Sequence, residues 1–272
     1  MKKKAPPSTE AMATFVENVR RLLQLVNAMQ RGSVHLSQEV EGFSSQLELV
    51  AGGKKRGFLR RVKVLKGKFK RLTDEARAFR GGIQLLMEWQ VVMLVTFTET
   101  YLQDALASAA VVDPSLMLQP PAASYDDVLS ASSLDSLTEN LRRRWAARHF
   151  VDTGGPTKWI DRFHQMGART LNRSLASDME ELWGLRHVVV HSAGVATAEF
   201  TRLYPGFGAR VGDRVSVTGD SFKKYTIACG TFVHNVDQYL VNRFPALAIK
   251  SKVKLGRKKG RRAAFALARR SG

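Results

Sequence analysis

The chain has 272 residues, 44% of them hydrophobic and 25% charged, enough for one or two domains with a sizeable core. Its single cysteine, Cys229, excludes an internal disulfide, and the opening MKKKAPPSTEAM places no apolar stretch behind its lysines, so a reducing, cytoplasmic setting is expected. The net charge of +19 suits a polyanion, and it is unevenly placed: residues 1–80 hold 18 Lys and Arg against 7 Asp and Glu, residues 248–272 hold 10 against none, and the middle is close to neutral.

In chain order, Phe15, Val19, Leu22, Val26, Met29, Ser33, Leu36, Val40, Phe43, Leu47 and Val50 alternate in steps of four and three, the seam of about five heptads. AGGKKRG at 51–57 predicts a turn. A second series follows in Phe58, Val62, Leu65, Phe69, Leu72, Ala76, Phe79, Ile83 and Leu86. Two long helices result, joined as a hairpin or pairing between chains as a coiled coil. In the second, Arg60, Arg61, Lys63, Lys66, Lys68, Lys70 and Arg71 lie mostly off the seam and give one helix a basic outer face. Gly32, Gly42 and Gly67 each weaken these helices by ~1 kcal/mol relative to alanine, so kinks are expected.

From residue 81 the pattern changes. GGIQLLMEWQVVMLVTFTETYLQDALASAAVVDP is apolar nearly all round, as expected of a central bundle helix, with Pro114 limiting its end. Its most apolar run, VVMLVTF, is too short to span a bilayer. Further helices are expected over SLDSLTENLRRRWAARHF with Ser136 as cap, over TKWIDRFHQMGART, over SLASDMEELWGLRHVVVH with Ser177 or Asp178 as cap, and over DSFKKYTIACGTFVHNVDQYLVNRF from Asp220 to near Pro245. YPGFGARVGDRVSVTGD reads as a loop with a short extended piece, and Trp89, Trp145, Trp183 and Phe232 as bundle core. The fold class is therefore all-α: a basic heptad-patterned region over 1–80, a bundle of about five helices over 81–246, and a basic, flexible tail over 247–272.

Within the bundle, ELWGLRHVVVHSAG places Arg186, His187 and His191 around three valines. His187 and His191, four apart, share a helix face, while Arg186 projects about 100° from His187. Two histidines at this spacing resemble zinc ligands, but no third ligand is evident and valine stands where a metalloprotease helix carries glutamate. In a purely structural role the valines would pack inward, with Arg186 and the histidines capping carbonyls or pairing with Glu180 and Glu181. In a functional role, arginine holds two phosphate oxygens in a planar fork and histidine moves a proton near neutrality. Together they can cut RNA without a metal, because the neighbouring 2′-hydroxyl is the nucleophile. His35, His149, His164 and His234 read as surface or satisfied core, and no GxxxxGK[ST] loop supports an NTPase.

LRHVVVHSAG, preceded by DMEELWG, resembles the signature of the HEPN superfamily: an arginine, a polar residue, three mostly apolar residues and a histidine before a small-residue turn. The resemblance covers roughly residues 81–245. It implies a bundle of four or five helices that pairs so that two motifs meet across a two-fold interface, with metal-independent endoribonuclease activity in toxin–antitoxin or antiviral defence. Arg186 and His191 would then be catalytic, His187 would orient the site or contact RNA, and Glu99 would match the supporting acid of the first helix. RNA and a second copy of the chain are the expected partners, with an inhibitory or activating protein beside them; no cofactor, metal or membrane is expected. The basic outer face of the second helix and Arg257, Lys258, Lys259, Arg261 and Arg262 of the tail would hold the RNA. The alternative is a non-catalytic nucleic-acid-binding or assembly protein that uses the same bundle to dimerise.

Overall fold

The computed structural model describes residues 8–51, 56–117, 121–151 and 154–249. It is all-α; among the described residues extended backbone pairs only in one antiparallel bridge, Val195 with Arg214, where a short extended piece is expected. None of its helices is long and apolar enough to cross a membrane, among the described residues.

Helix α1 (Glu10–Ala51) starts at Thr9, whose hydroxyl oxygen accepts from the Met12 N–H at 3.1 Å. The first seam positions, Phe15, Leu22 and Val26, are buried along α2 (Arg56–Val112) of the same chain, with the Phe15 and Tyr101 rings edge-on at 6.0 Å. The two helices form an αα-hairpin; residues 52–55 of the expected turn lie outside the described residues. Helix α1 runs unbroken through Gly32 and Gly42, and α2 through Gly67, despite a glycine cost of ~1 kcal/mol each.

Residue 81, where the bundle was expected to begin, falls inside α2. One helix therefore carries the basic series and the apolar series end to end, and it stops at Val112, two residues before Pro114. Its inner face, Val91, Leu94, Val95, Thr98, Leu102 and Leu106, is buried. The opposite face exposes Leu85, Leu86, Trp89 and Met93. Trp89, expected in the core, is 54% exposed: it sits two residues from the buried Val91, which turns it to the far side of the helix. Trp145 and Phe232 are buried as expected, and Trp183 is partly so.

Four of the shorter helices show how local chemistry sets the boundaries. After α3 (Tyr125–Ser130), α4 (Leu134–Ala146) is capped by Ser133; Ser136 is its reciprocal partner in a capping box rather than the cap. A π turn, Ala147–Val151, follows it. Helix α5 (Pro156–Gln165) opens with Pro156 at its first turn. Helix α6 (Ser174–His191) begins a turn earlier than Ser177 or Asp178, which lie inside it; Asn172 Oδ1 accepts from the Ser174 N–H at 2.9 Å. Beyond α7 (Ala198–Leu203), α8 (Gly219–Arg243) is capped by Thr218 with Ser221, correcting the assignment to Asp220, and it ends before Pro245.

The core lies where α2, α5, α6 and α8 meet. Trp159 and Phe163 both pack on Phe232, at centroid distances of 6.2 and 6.3 Å, the first tilted and the second edge-on. At one end, buried Asp237 of α8 accepts from the Thr9 hydroxyl at 2.5 Å and the Tyr101 hydroxyl at 3.4 Å, tying the start of α1 to α2 and α8.

Candidate active site

Helix α6 buries Met179, Leu182, Leu185 and Val188, a stripe at three-residue spacing that fixes its rotation. Of the three valines, Val188 is thus in the core, Val189 is half-buried and Val190 is exposed. His187 and His191 are turned to solvent, with ring centroids 4.6 Å apart and planes tilted by 43°. Arg186 lies between the buried and the exposed sides; its Nε is buried and has no hydrogen-bond partner.

Two contacts set α6 against α2. The Trp183 indole N–H donates to Glu99 Oε1 at 3.2 Å, and eleven residues earlier on α2 the Glu88 carboxylate lies against Gly194. The helices are therefore antiparallel. Glu99 thus accepts from Trp183, three residues before Arg186 on α6. Glu180 and Glu181, the acids considered as partners for the motif, are engaged elsewhere: Glu180 accepts from the Thr157 N–H at 2.9 Å, and Glu181 from the Tyr225 hydroxyl and Lys224 Nζ, both at 2.8 Å.

The chain leaves α6 in a tight turn. The Ser192 and Gly194 N–H groups both donate to Val188 O, at 2.9 and 3.1 Å, with Ala193 at φ 49° and Gly194 at φ 79°. A Cβ on Gly194 would come within 3.3 Å of Glu88 Oε1, so glycine serves both the left-handed backbone and the close approach. Glu88 is 2% exposed and is held by Arg214 in a two-pronged pair, 2.9 and 2.8 Å. Arg214 also pairs its backbone with Val195, and the Val215 N–H donates to Gly194 O at 2.8 Å. Sequence reading did not single out Glu88 and Arg214; an acid inside an apolar run and a lone arginine in GDRVSV were the available signals.

The expected RNA-holding residues are spread more widely. Lys68, Lys70 and Arg71 are exposed on α2, with Arg71 Nε 2.9 Å from Glu75. Arg60, Arg61, Lys63 and Lys66 belong to α2, but their side chains lie outside the described residues, as do Arg257, Lys258, Lys259, Arg261 and Arg262 altogether. Among the described residues no three His, Cys, Asp or Glu side chains gather as metal ligands. No family model, curated protein or solved structure matches the chain.

Proposed function

We propose that the chain is a metal-independent endoribonuclease of HEPN type, a cytoplasmic toxin or antiviral-defence effector. One observation carries this reading: His187, His191 and the Arg186 Nε carry titratable or donor groups that no core contact or capping bond employs. Arg186 would grip the scissile phosphate and stabilise its added negative charge, His191 would take the proton of the attacking 2′-hydroxyl, and His187 would orient the site. Glu99, fixed through Trp183, would support the wall behind Arg186. The basic residues of α2 and the tail would hold the RNA, and an inhibitory or activating protein would set when it cuts.

Pairing of two copies is part of the proposal. Leu85, Leu86, Trp89 and Met93 of α2 and Val190 of α6 are exposed on adjoining helices. A second copy seated there would cover apolar surface and bring two Arg186–His191 sets together. The same face supports the second reading, a nucleic-acid-binding assembly protein without catalysis.

Cleavage of unmodified RNA in EDTA tests between them. The expected products carry a 2′,3′-cyclic phosphate and a 5′-hydroxyl, and a single 2′-deoxy sugar at the cut blocks the reaction. His191→Ala and Arg186→Ala should each slow cleavage by about 10²–10⁴-fold, His187→Ala by less. Full activity in His191→Ala, or loss of activity with the chelator, would overturn the assignment.

A further inference from the structure

His187 and His191 have a second capacity that proton transfer does not use. Both rings are exposed, and among the described residues neither is engaged in a hydrogen bond or an ion pair. The buried stripe of Met179, Leu182, Leu185 and Val188 fixes the rotation of α6, so the two rings are carried on a rigid element rather than on a loop.

Neutral imidazole is a ligand for late transition-metal ions, and two histidines four apart on a helix present both rings to one ion. Rings that share an ion at about 2.0–2.1 Å from each coordinating nitrogen hold their centres roughly 4.5–5.2 Å apart, whether the ion is octahedral or tetrahedral. The observed separation is 4.6 Å, and the ring planes cross at 43°. Crossed planes let two in-plane lone pairs meet at one position, which parallel, stacked rings would not.

The place along the helix suits a cation as well. His191 is the last residue of α6, where the helix dipole presents its negative end. Among the described residues no third side chain joins the pair, so water would complete the coordination, as befits an exchangeable ion rather than a structural one. Other donors are less well placed: a His164 ring nitrogen lies 2.7 Å from Leu171 O, Cys229 is buried, and His35 faces only the Glu39 carboxylate, at 3.7 Å.

We propose that His187 and His191 bind one late transition-metal ion of the zinc type, and that this ion switches the candidate site off. A neutral imidazole has a single lone pair to offer. Once the metal holds it, His191 has nothing left with which to accept the 2′-hydroxyl proton, so it cannot be metal ligand and general base at once. The inhibitory half rests on the reading of the histidine face as a nuclease site; the binding half does not.

Titration of full-length, metal-free protein with zinc chloride against a chromophoric chelator reads the binding half. Wild type should take up zinc saturably, nickel should compete for the same site and magnesium should not. Outer-shell partners of a metal are typically worth about 10–100-fold in affinity, so loss of one of two direct ligands, in His187→Ala or His191→Ala, should weaken zinc by at least about tenfold. His35→Ala should leave it unchanged. Both histidines are on the surface, so these variants should keep the fold, which circular dichroism checks. Unchanged zinc affinity in His187→Ala and His191→Ala, or no saturable uptake by wild type, overturns the site. Cleavage of unmodified RNA reads the inhibitory half: zinc should suppress it in wild type, EDTA should restore it, and the residual activity of His187→Ala should persist at the same zinc concentration. Full activity in zinc-saturated wild type overturns the inhibition. A protein that cuts no RNA at all would remove the nuclease reading, and the inhibitory role with it, while the zinc site stands or falls on the titration.

Discussion

Both faces of α2 carry large apolar side chains, and they have opposite fates. On one, Leu94, Val95 and Leu102 are sealed within the bundle; on the other, Leu85, Leu86, Trp89 and Met93 stand in solvent. The apolar character of a residue establishes that it gains by burial, and its neighbours decide whether its own chain supplies the cover. The difference separates what the fold requires from what a partner would require.

Truncation should expose this contrast most strongly. Leu102→Ala, on the sealed face, should cost about 2–5 kcal/mol of unfolding free energy, while Trp89→Ala should stay within about 0.5 kcal/mol per monomer. Urea melts of the two variants check it. If Trp89→Ala were as costly as Leu102→Ala at low protein concentration, the outer face would be part of the monomer's core.

Assembly should reverse the ranking. Trp89→Glu with Met93→Glu places charge on the outer face, so self-association should weaken by at least tenfold with the helical circular dichroism unchanged. Sedimentation at several concentrations reads this directly. A wild-type protein that stays monomeric at tens of micromolar would leave the outer face without a second copy of the chain as its cover.

Much of the inner arrangement was legible in the sequence. The steps of three and four through Phe15, Leu22 and Val26 marked a seam that is buried, and Pro114 and Pro245 marked helix ends, because a missing N–H and a fixed φ act within a turn. The rotation of α2 was not legible: a helix apolar all round has no inside until α6 and α8 are placed, which is why Trp89 was misassigned. Gly81 and Gly82 with the drop in charge suggested a boundary, but α2 runs through both, at a glycine cost of only ~1 kcal/mol each. Caps were misplaced by two or three residues at Ser136 and Asp220, since Ser, Thr and Asp compete for the role and the winner depends on backbone geometry. In the candidate site, Arg186, His187 and His191 could be named from their spacing. Glu88 and Arg214 could not, because their pairing joins elements far apart in the chain.

A smaller effect lies at the sealed end of α2, where Tyr101 meets Asp237. Burial raises the Asp237 carboxyl above its ordinary pKa, against the lowering effect of the Thr9 hydrogen bonds, Tyr101 and His234. The folded protein then holds this proton to higher pH than the unfolded chain, so the group's contribution is complete below the ordinary carboxylate range and declines as pH rises through the raised value. Asp237→Asn should remove that decline. Melting temperatures from pH 3.5 to 7.5 should differ between wild type and variant by an amount that changes in this sense; a constant offset would mean that Asp237 does not titrate in the fold.

The smallest expected effect comes from two threonines that make the same bond on opposite faces. Thr96 Oγ1 donates to Val92 O and Thr98 Oγ1 to Leu94 O, each at 2.9 Å, but Thr96 is exposed and Thr98 is wholly buried. In both cases valine keeps the shape and the helix still satisfies the carbonyl, so neither variant leaves a backbone group stranded. Thr96→Val should be neutral within about 0.5 kcal/mol and Thr98→Val should cost about 1 kcal/mol or less. Thr98 also hydrogen-bonds Cys229, whose thiol burial pushes up to about 12 and whose pKa that bond lowers. Removing the hydroxyl should move the thiol higher still, so under native conditions iodoacetamide should label Cys229 no faster in Thr98→Val than in wild type, after correction for the change in stability. Faster labelling would show that the threonine holds the seal between α2 and α8 rather than merely occupying it, and the sealed face would then depend on a polar contact as well as on apolar burial.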